Sequence, residues 1–160
     1  MKSICFTGHR HIINEEQVKN KLAATLESLI TDGATDFYAG GAIGFDTLAE
    51  NAVLLLREKY SHIKLHLILP CCKSDQTAKW TAEQIAEYDR ILTAVDSAEY
   101  ICDKFYCGCM KARNARLIEL ADCCVCYYDS KNSASGTGQT VRMAERKGLP
   151  VINVFHYSQS

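Results

Sequence analysis

Along this chain, short apolar runs alternate with stretches whose apolar residues recur at helical spacing, and that alternation restricts the fold more than any single motif. Six runs read as strands: residues 2–7, 36–39, 64–69, a fourth centred on Tyr100-Ile101-Cys102, 122–128 and 150–155. The first helix is expected after Asn14, which with Gln17 has capping-box spacing; Val18, Leu22, Leu26, Leu29 and Ile30 share a face, and Gly33 stops it. A second carries Leu48, Ala49, Ala52, Leu55 and Leu56. After a polar loop over 71–77, Trp80 to Val95 reads as one helix or two. Further helices are expected from Cys109 to Ala121 and from Val141 to Lys147. Strands alternating with helices call for right-handed crossovers and a mostly parallel sheet covered on both faces. The expected fold is therefore α/β: a Rossmann-like, doubly wound sheet of about six strands, in one domain over residues 1–160.

Composition removes several classes of function. With 48% hydrophobic residues and a formal net charge of -1, neither disorder nor a strongly basic nucleic-acid surface is expected. No apolar run approaches the roughly 20 residues of a membrane helix. Met1 to Thr7 leads into a glycine turn and not into a signal-peptide cleavage site, so a cytoplasmic protein is expected. Nine cysteines is an odd, high count, and most sit in or beside apparent buried strands as small hydrophobes. Cys107-Gly108-Cys109 has no standard ligand pair elsewhere, and no metal site is expected.

Three loops stand where a strand hands over to a helix: Thr7-Gly8-His9-Arg10, Gly40-Gly41-Ala42-Ile43-Gly44-Phe45-Asp46, and Ser133-Ala134-Ser135-Gly136-Thr137-Gly138-Gln139-Thr140. At such a junction, backbone N–H groups without helical acceptors point outward at the positive end of a helix dipole and favour an anion, usually a phosphate. In an open α/β sheet ligands bind outside the carboxyl ends of the strands, where the winding reverses, so the three loops are expected to line one crevice. The G-x-G-x-x-G dinucleotide fingerprint and the Gly-Lys-Ser/Thr P-loop are both absent, which argues against NAD and against ATP hydrolysis by that route. No cofactor is expected.

Individual side chains in these segments have two readings each. Arg113, near the start of its helix, either pairs with a phosphate or carboxylate in the crevice or is a solvated charge. Asp46 either accepts hydrogen bonds from ligand hydroxyls or caps its helix. Asn114 is a weaker candidate, a poor mid-helix residue. His9 and Arg10 offer a titratable and a cationic ligand contact. Phe105, Tyr106, Tyr127 and Tyr128 have the faces to stack a base but read chiefly as core.

Taken together, Cys5-Phe6-Thr7-Gly8-His9-Arg10, Gly40 to Asp46, Arg113-Asn114, Ala121-Asp122 and Ser135-Gly136-Thr137 give the chain a resemblance to the YpsA-like branch of the SLOG superfamily over nearly its whole length. The resemblance implies a Rossmann-like domain binding a nucleotide or nucleotide-derived ligand through Thr7, Gly8, His9, Arg10, Gly40, Gly41, Gly44, Asp46, Arg113, Asn114, Ser135, Gly136, Thr137 and Thr140. Distant relatives are the Lonely Guy phosphoribohydrolases and DNA-processing proteins that bind single strands. The phosphoribohydrolases carry a Met-x-x-Arg-Lys helix start and a Gly-Gly-x-Gly-Thr-x-x-Glu loop. Here Met110-Lys111-Ala112-Arg113-Asn114 matches the arginine, and Ser135-Gly136-Thr137 matches part of the loop, but Thr140 stands at the glutamate's position. Cleaving an N-glycosidic bond usually draws on a carboxylate, which threonine lacks. Binding or sensing is thus expected ahead of turnover. Phosphoribohydrolase activity, with Arg113 and Asp46 as the catalytic pair, is the alternative, and single-stranded DNA binding is a more remote one. The expected partner is a nucleotide-like small molecule, not a membrane and not nucleic acid, with a homo-oligomer left open.

Overall fold

The computed structural model describes residues 1–155. Its elements run β1 (Ser3–Gly8), α1 (Glu15–Thr31), β2 (Asp36–Ala39), α2 (Phe45–Lys59), β3 (Lys64–Leu69), the single turn α3 (Lys73–Gln76), α4 (Ala82–Ala94), β4 (Ser97–Tyr100), α5 (Cys109–Leu120), β5 (Cys123–Tyr127), α6 (Gly136–Lys147) and β6 (Val151–Asn153), with a 3-10 turn at Ser130–Asn132. The strands form one six-stranded sheet in the order β4-β3-β2-β1-β5-β6, and every pairing is parallel. The winding runs outward from β1 in one direction through β4, then restarts on the other side of β1 with β5. The reversal therefore lies between β1 and β5.

The period-2 alternation of the strands sorts their side chains onto two faces. Ile4 and Phe6 of β1 and Cys123, Val125 and Tyr127 of β5 pack with Val18, Leu22 and Leu26 of α1 and with Phe45, Leu48 and Val53 of α2. The intervening Cys5, Cys124 and Cys126 face the other way, against Leu117 and Ile118 of α5 and Val141 and Ala144 of α6. Three small thiol-bearing residues under α5 and α6 let those helices lie close to the sheet. These cysteines are fully buried, as their strand positions predict.

Several boundaries differ from the sequence reading, each for a local reason. Asn14 precedes α1 in the left-handed region, φ 58°, and its side chain caps nothing. The capping box is instead Thr81 with Gln84 at the start of α4. β4 is Ser97–Tyr100, ending on the first residue of the Tyr100-Ile101-Cys102 triplet. As the sheet edge it is half solvated, so it lacks an apolar signature, and its Glu99 is held by Arg116 at 2.9 Å. Within the supposed loop at 71–77, Lys73–Gln76 makes a helical turn. α6 begins at Gly136, not at Val141, because Ser135 Oγ accepts from the Gly138 amide and caps the helix five residues early.

Candidate functional site

The three strand-to-helix loops follow β1, β2 and β5, which are neighbours in the sheet. They share hydrogen bonds and close contacts. The Phe45 amide donates to the His9 carbonyl at 3.1 Å, seating the start of α2 on the first loop. Gly44, at φ 83°, lies so close to the Arg10 backbone that a Cβ there would stand 2.3 Å from the Arg10 carbonyl oxygen, which is why this position needs glycine. On the other side the Asp129 amide donates to His9 Nε2 at 2.9 Å, tying the first loop to the segment leaving β5. His9 is therefore a neutral imidazole carrying its proton on Nδ1. Burial pulls its pKa below the ordinary value, against the pull of Asp129.

Of the two sequence readings of Arg113, the solvated helix charge is the one its burial excludes. Arg113 is only 5% exposed. Its Nη1 donates to the Gly40 carbonyl, and its Nε donates to Asn114 Oδ1 at 2.8 Å. A Cβ on Gly40 would meet Arg113 Nη1 at 2.4 Å and Asp46 Oδ2 at 2.9 Å, so Gly40 is the floor on which the guanidinium and the carboxylate approach one another. Asp46 Oδ2 accepts from the Ala42 amide at 3.2 Å. Burial raises the Asp46 pKa and Arg113 is the chief influence holding it down. Guanidinium stays charged at any ordinary pH, so this is a buried cation placed under the second loop.

One turn further along α2, Glu50 shares that environment. It is 2% exposed, and its Oε2 has no hydrogen-bond partner among the described residues. Burial, and after it the nearby Asp46, lifts its carboxyl well above the usual range. It lines a small cavity of about 10 Å³ with Gly41, Thr47, Trp80 and Tyr88, roughly the room one water needs. The sequence reading missed Glu50, although its i, i+4 spacing from Asp46 puts both carboxyls on one helix face.

The third loop presents the opening turn of α6. Of the first-turn amides without a helical acceptor, Gly138 is capped by Ser135 at 3.1 Å, leaving Gly136 and Thr137 as donors. Thr137 and Thr140 are buried, and Thr140 Oγ1 donates to the Gly136 carbonyl at 2.9 Å. Thr140 thus braces the turn, while Gly136 is exposed at it. Thr7 is buried at the end of β1, Gly8 and His9 are half-buried, and Arg10 is exposed. Tyr127 is core, as expected, whereas Phe105 and Tyr106 are 58% and 47% exposed, on the loop that follows the edge strand β4.

An all-parallel α/β sheet whose winding reverses beside a capped helix N-terminus defines a Rossmann-like domain. Its loops gather at the carboxyl edge of the strands. The YpsA family model, described as the YspA SLOG family, matches residues 5–154, and the chain belongs to that family. It is 32% identical over 146 residues to the uncharacterized SPbeta prophage-derived protein YoqJ of Bacillus subtilis (strain 168), covering 83% of each chain. It is 25% identical over 120 residues to the UPF0398 protein BH1768 of Halalkalibacterium halodurans, covering 74% of this chain and 62% of that one. The X-ray structure of TM1055, a structural genomics target, superposes with a TM-score of 0.59 at 17% identity, covering 94% of this chain and 72% of that one, a likeness of fold. Among the described residues no helix is long and apolar enough to cross a membrane.

Proposed function

We propose that this domain binds a nucleotide or nucleotide-derived ligand at the carboxyl ends of β1 and β5, and that it binds without turning the ligand over. The observation that carries the reading is the winding reversal between β1 and β5, with the first turn of α6 opening beside it and His9 joining the two flanking loops. At a switch point of this kind the crevice outside the strands is the usual ligand position. The amides of Gly136 and Thr137 and the exposed guanidinium of Arg10 supply the donors for a phosphate. Ser135, Gly138, Thr140, Gly44 and Gly40 hold those donors in place, and Arg113 with Asp46 stabilises the second loop from beneath.

The carboxylates support binding over hydrolysis. Thr140 has no charge, and Asp46 is buried and engaged with the Ala42 amide. Neither is set to assist the departure of a base. A net charge of -1 likewise disfavours a single-stranded DNA groove. Thermal-shift and calorimetric titration with nucleoside mono-, di- and triphosphates and nucleotide-sugars tests the proposal. A true ligand at a hundredfold excess over its Kd should stabilise the fold by about 2.7 kcal/mol, and Arg10→Ala should weaken binding at least tenfold. A panel in which no member shifts the melt, or in which release of free base accompanies binding, sinks the reading.

A further inference from the structure

At the amino ends of β2, β3 and β4, away from the crevice loops, three polar side chains meet on one face of the sheet. Asp36 opens β2, Ser97 opens β4, and His66 lies between them on β3. Register brings them together. His66 stands opposite Tyr38 on one side and Ser97 on the other, and Asp36, two residues before Tyr38, shares its face. His66 Nε2 lies 2.8 Å from Asp36 Oδ1, and His66 Nδ1 lies 2.6 Å from Ser97 Oγ. Thr35 Oγ1 donates to Asp36 Oδ2 at 2.8 Å, holding the carboxylate by its other oxygen. A hydroxyl within reach of an imidazole that is itself oriented by a carboxylate is the arrangement that activates a nucleophile on unrelated folds.

Hydrogen-bond chemistry sets the direction of this chain of groups. Burial pushes the Asp36 pKa up, but the hydrogen bonds from His66 and Thr35 outweigh it and hold it below the ordinary value, so the carboxylate is charged at neutral pH and can only accept. The neutral imidazole therefore carries its proton on Nε2, toward Asp36, and Nδ1 accepts from the Ser97 hydroxyl. His66 stacks on Tyr38, with ring centroids 4.7 Å apart and 25° between the planes, which fixes the ring and gives it a π face favourable to an imidazolium. Glu99, next along the same face of β4, is held by Arg116 at 2.9 Å. Ser97 is exposed on the edge strand, whereas the His66 side chain is 15% exposed, so a reagent meets the hydroxyl with the base behind it.

We propose that Ser97 is a nucleophile, with His66 as its general base and Asp36 as the residue that positions the base, and that it takes an acyl group from small activated carboxylic esters. Ser97 Oγ attacks the ester carbonyl carbon while its proton passes to His66 Nδ1. Asp36 stabilises the imidazolium. The tetrahedral adduct collapses by breaking the bond to the leaving oxygen, which takes the proton back from Nδ1, so the products are acyl-Ser97 and one alcohol or phenol. Water, giving its proton to Nδ1, then attacks the acyl carbon, releases the carboxylic acid and restores the hydroxyl. The site lies at the opposite end of the strands from the nucleotide crevice, and neither reading depends on the other.

The test incubates the full-length chain with an alkyl fluorophosphonate, which phosphonylates activated serines, and in parallel with an aryl acetate, and maps adducts by peptide mass. The tryptic peptide from Ile91 to Lys104 should gain one group, fragmentation should place it on Ser97, and urea-unfolded protein should gain none there. Ser97→Ala, a change at an exposed position, should abolish the adduct, and His66→Gln should slow its formation by about a hundredfold. Asp36→Asn should slow it as well, while the nitrogen NMR shifts of His66 report the ring proton moved to Nδ1. The comparison of native with unfolded wild type decides the matter even where a variant folds poorly. Folded wild type that carries no phosphonyl group on Ser97, or a folded His66→Gln protein labelled there as fast as wild type, overturns the proposal.

Discussion

Replacing Arg113 with methionine should expose how much the second loop depends on a buried cation. Methionine keeps most of the volume, so the loss is electrostatic. The Gly40 carbonyl loses its donor, and the Asp46 carboxylate loses the chief charge that offsets its burial. Removing one member of a buried charged set typically costs about 3–5 kcal/mol, because the remaining charge is left uncompensated. For a domain of this size that corresponds to a fall in melting temperature of roughly 10 °C. The pH dependence carries the cause. Without Arg113, Asp46 is harder still to ionise in the folded state, so the deficit is full at neutral pH, where the unfolded carboxylate is charged. It narrows as pH falls through the raised folded pKa of Asp46, and this part of it is gone by the ordinary Asp value of 3.8. The double variant Arg113→Met with Asp46→Asn should recover about 1–2 kcal/mol in a mutant cycle. Denaturant unfolding of the four proteins at pH 7 and pH 4 supplies the measurement. An Arg113→Met protein within about 1 kcal/mol of wild type at neutral pH, with no coupling to Asp46, would refute the argument.

Three other outcomes follow from separate parts of the structure. Gly44→Ala combines a left-handed φ of 83° with a Cβ 2.3 Å from the Arg10 carbonyl oxygen, and should cost about 2 kcal/mol or more in chemical denaturation. Glu50→Gln should stabilise the protein increasingly as pH rises. The raised carboxyl contributes stability that is complete below its ordinary value of 4.5 and is lost as pH climbs toward the folded pKa, so wild type and variant should melt together near pH 4 and diverge above it. His9 has the opposite sign. Its lowered pKa means the unfolded chain takes up a proton first, so stability falls as pH drops below 6.5; His9→Gln should flatten that limb of the pH–melting curve relative to wild type.

How much of this was legible before any coordinates depends on whether the physical cause was local. Strand positions 36–39 and 64–69, and the face of α1 carrying Val18, Leu22 and Leu26, follow from periodicity because one buried face leaves its repeat in the residues themselves. The capping box at Thr81 and Gln84 is equally local, whereas Asn14, with the same spacing to Gln17, takes a left-handed backbone and its side chain caps nothing. β4 left no apolar trace because an edge strand buries too little. Phe105 and Tyr106 read as core by residue type, yet about half of each side chain is exposed.

What the chain's own order determined was the alternation of elements, and with it a parallel sheet whose loops collect at one edge, since short crossovers between parallel strands leave few other arrangements. The tertiary structure alone decided which side of β1 receives β5, and hence where the winding reverses. It alone placed Arg113 beneath Gly40 instead of in open solvent, and it alone buried the Asp46 and Glu50 carboxyls. Each depends on the free energy of groups buried together, and that is a property of contacts between distant segments which no single stretch of residues encodes.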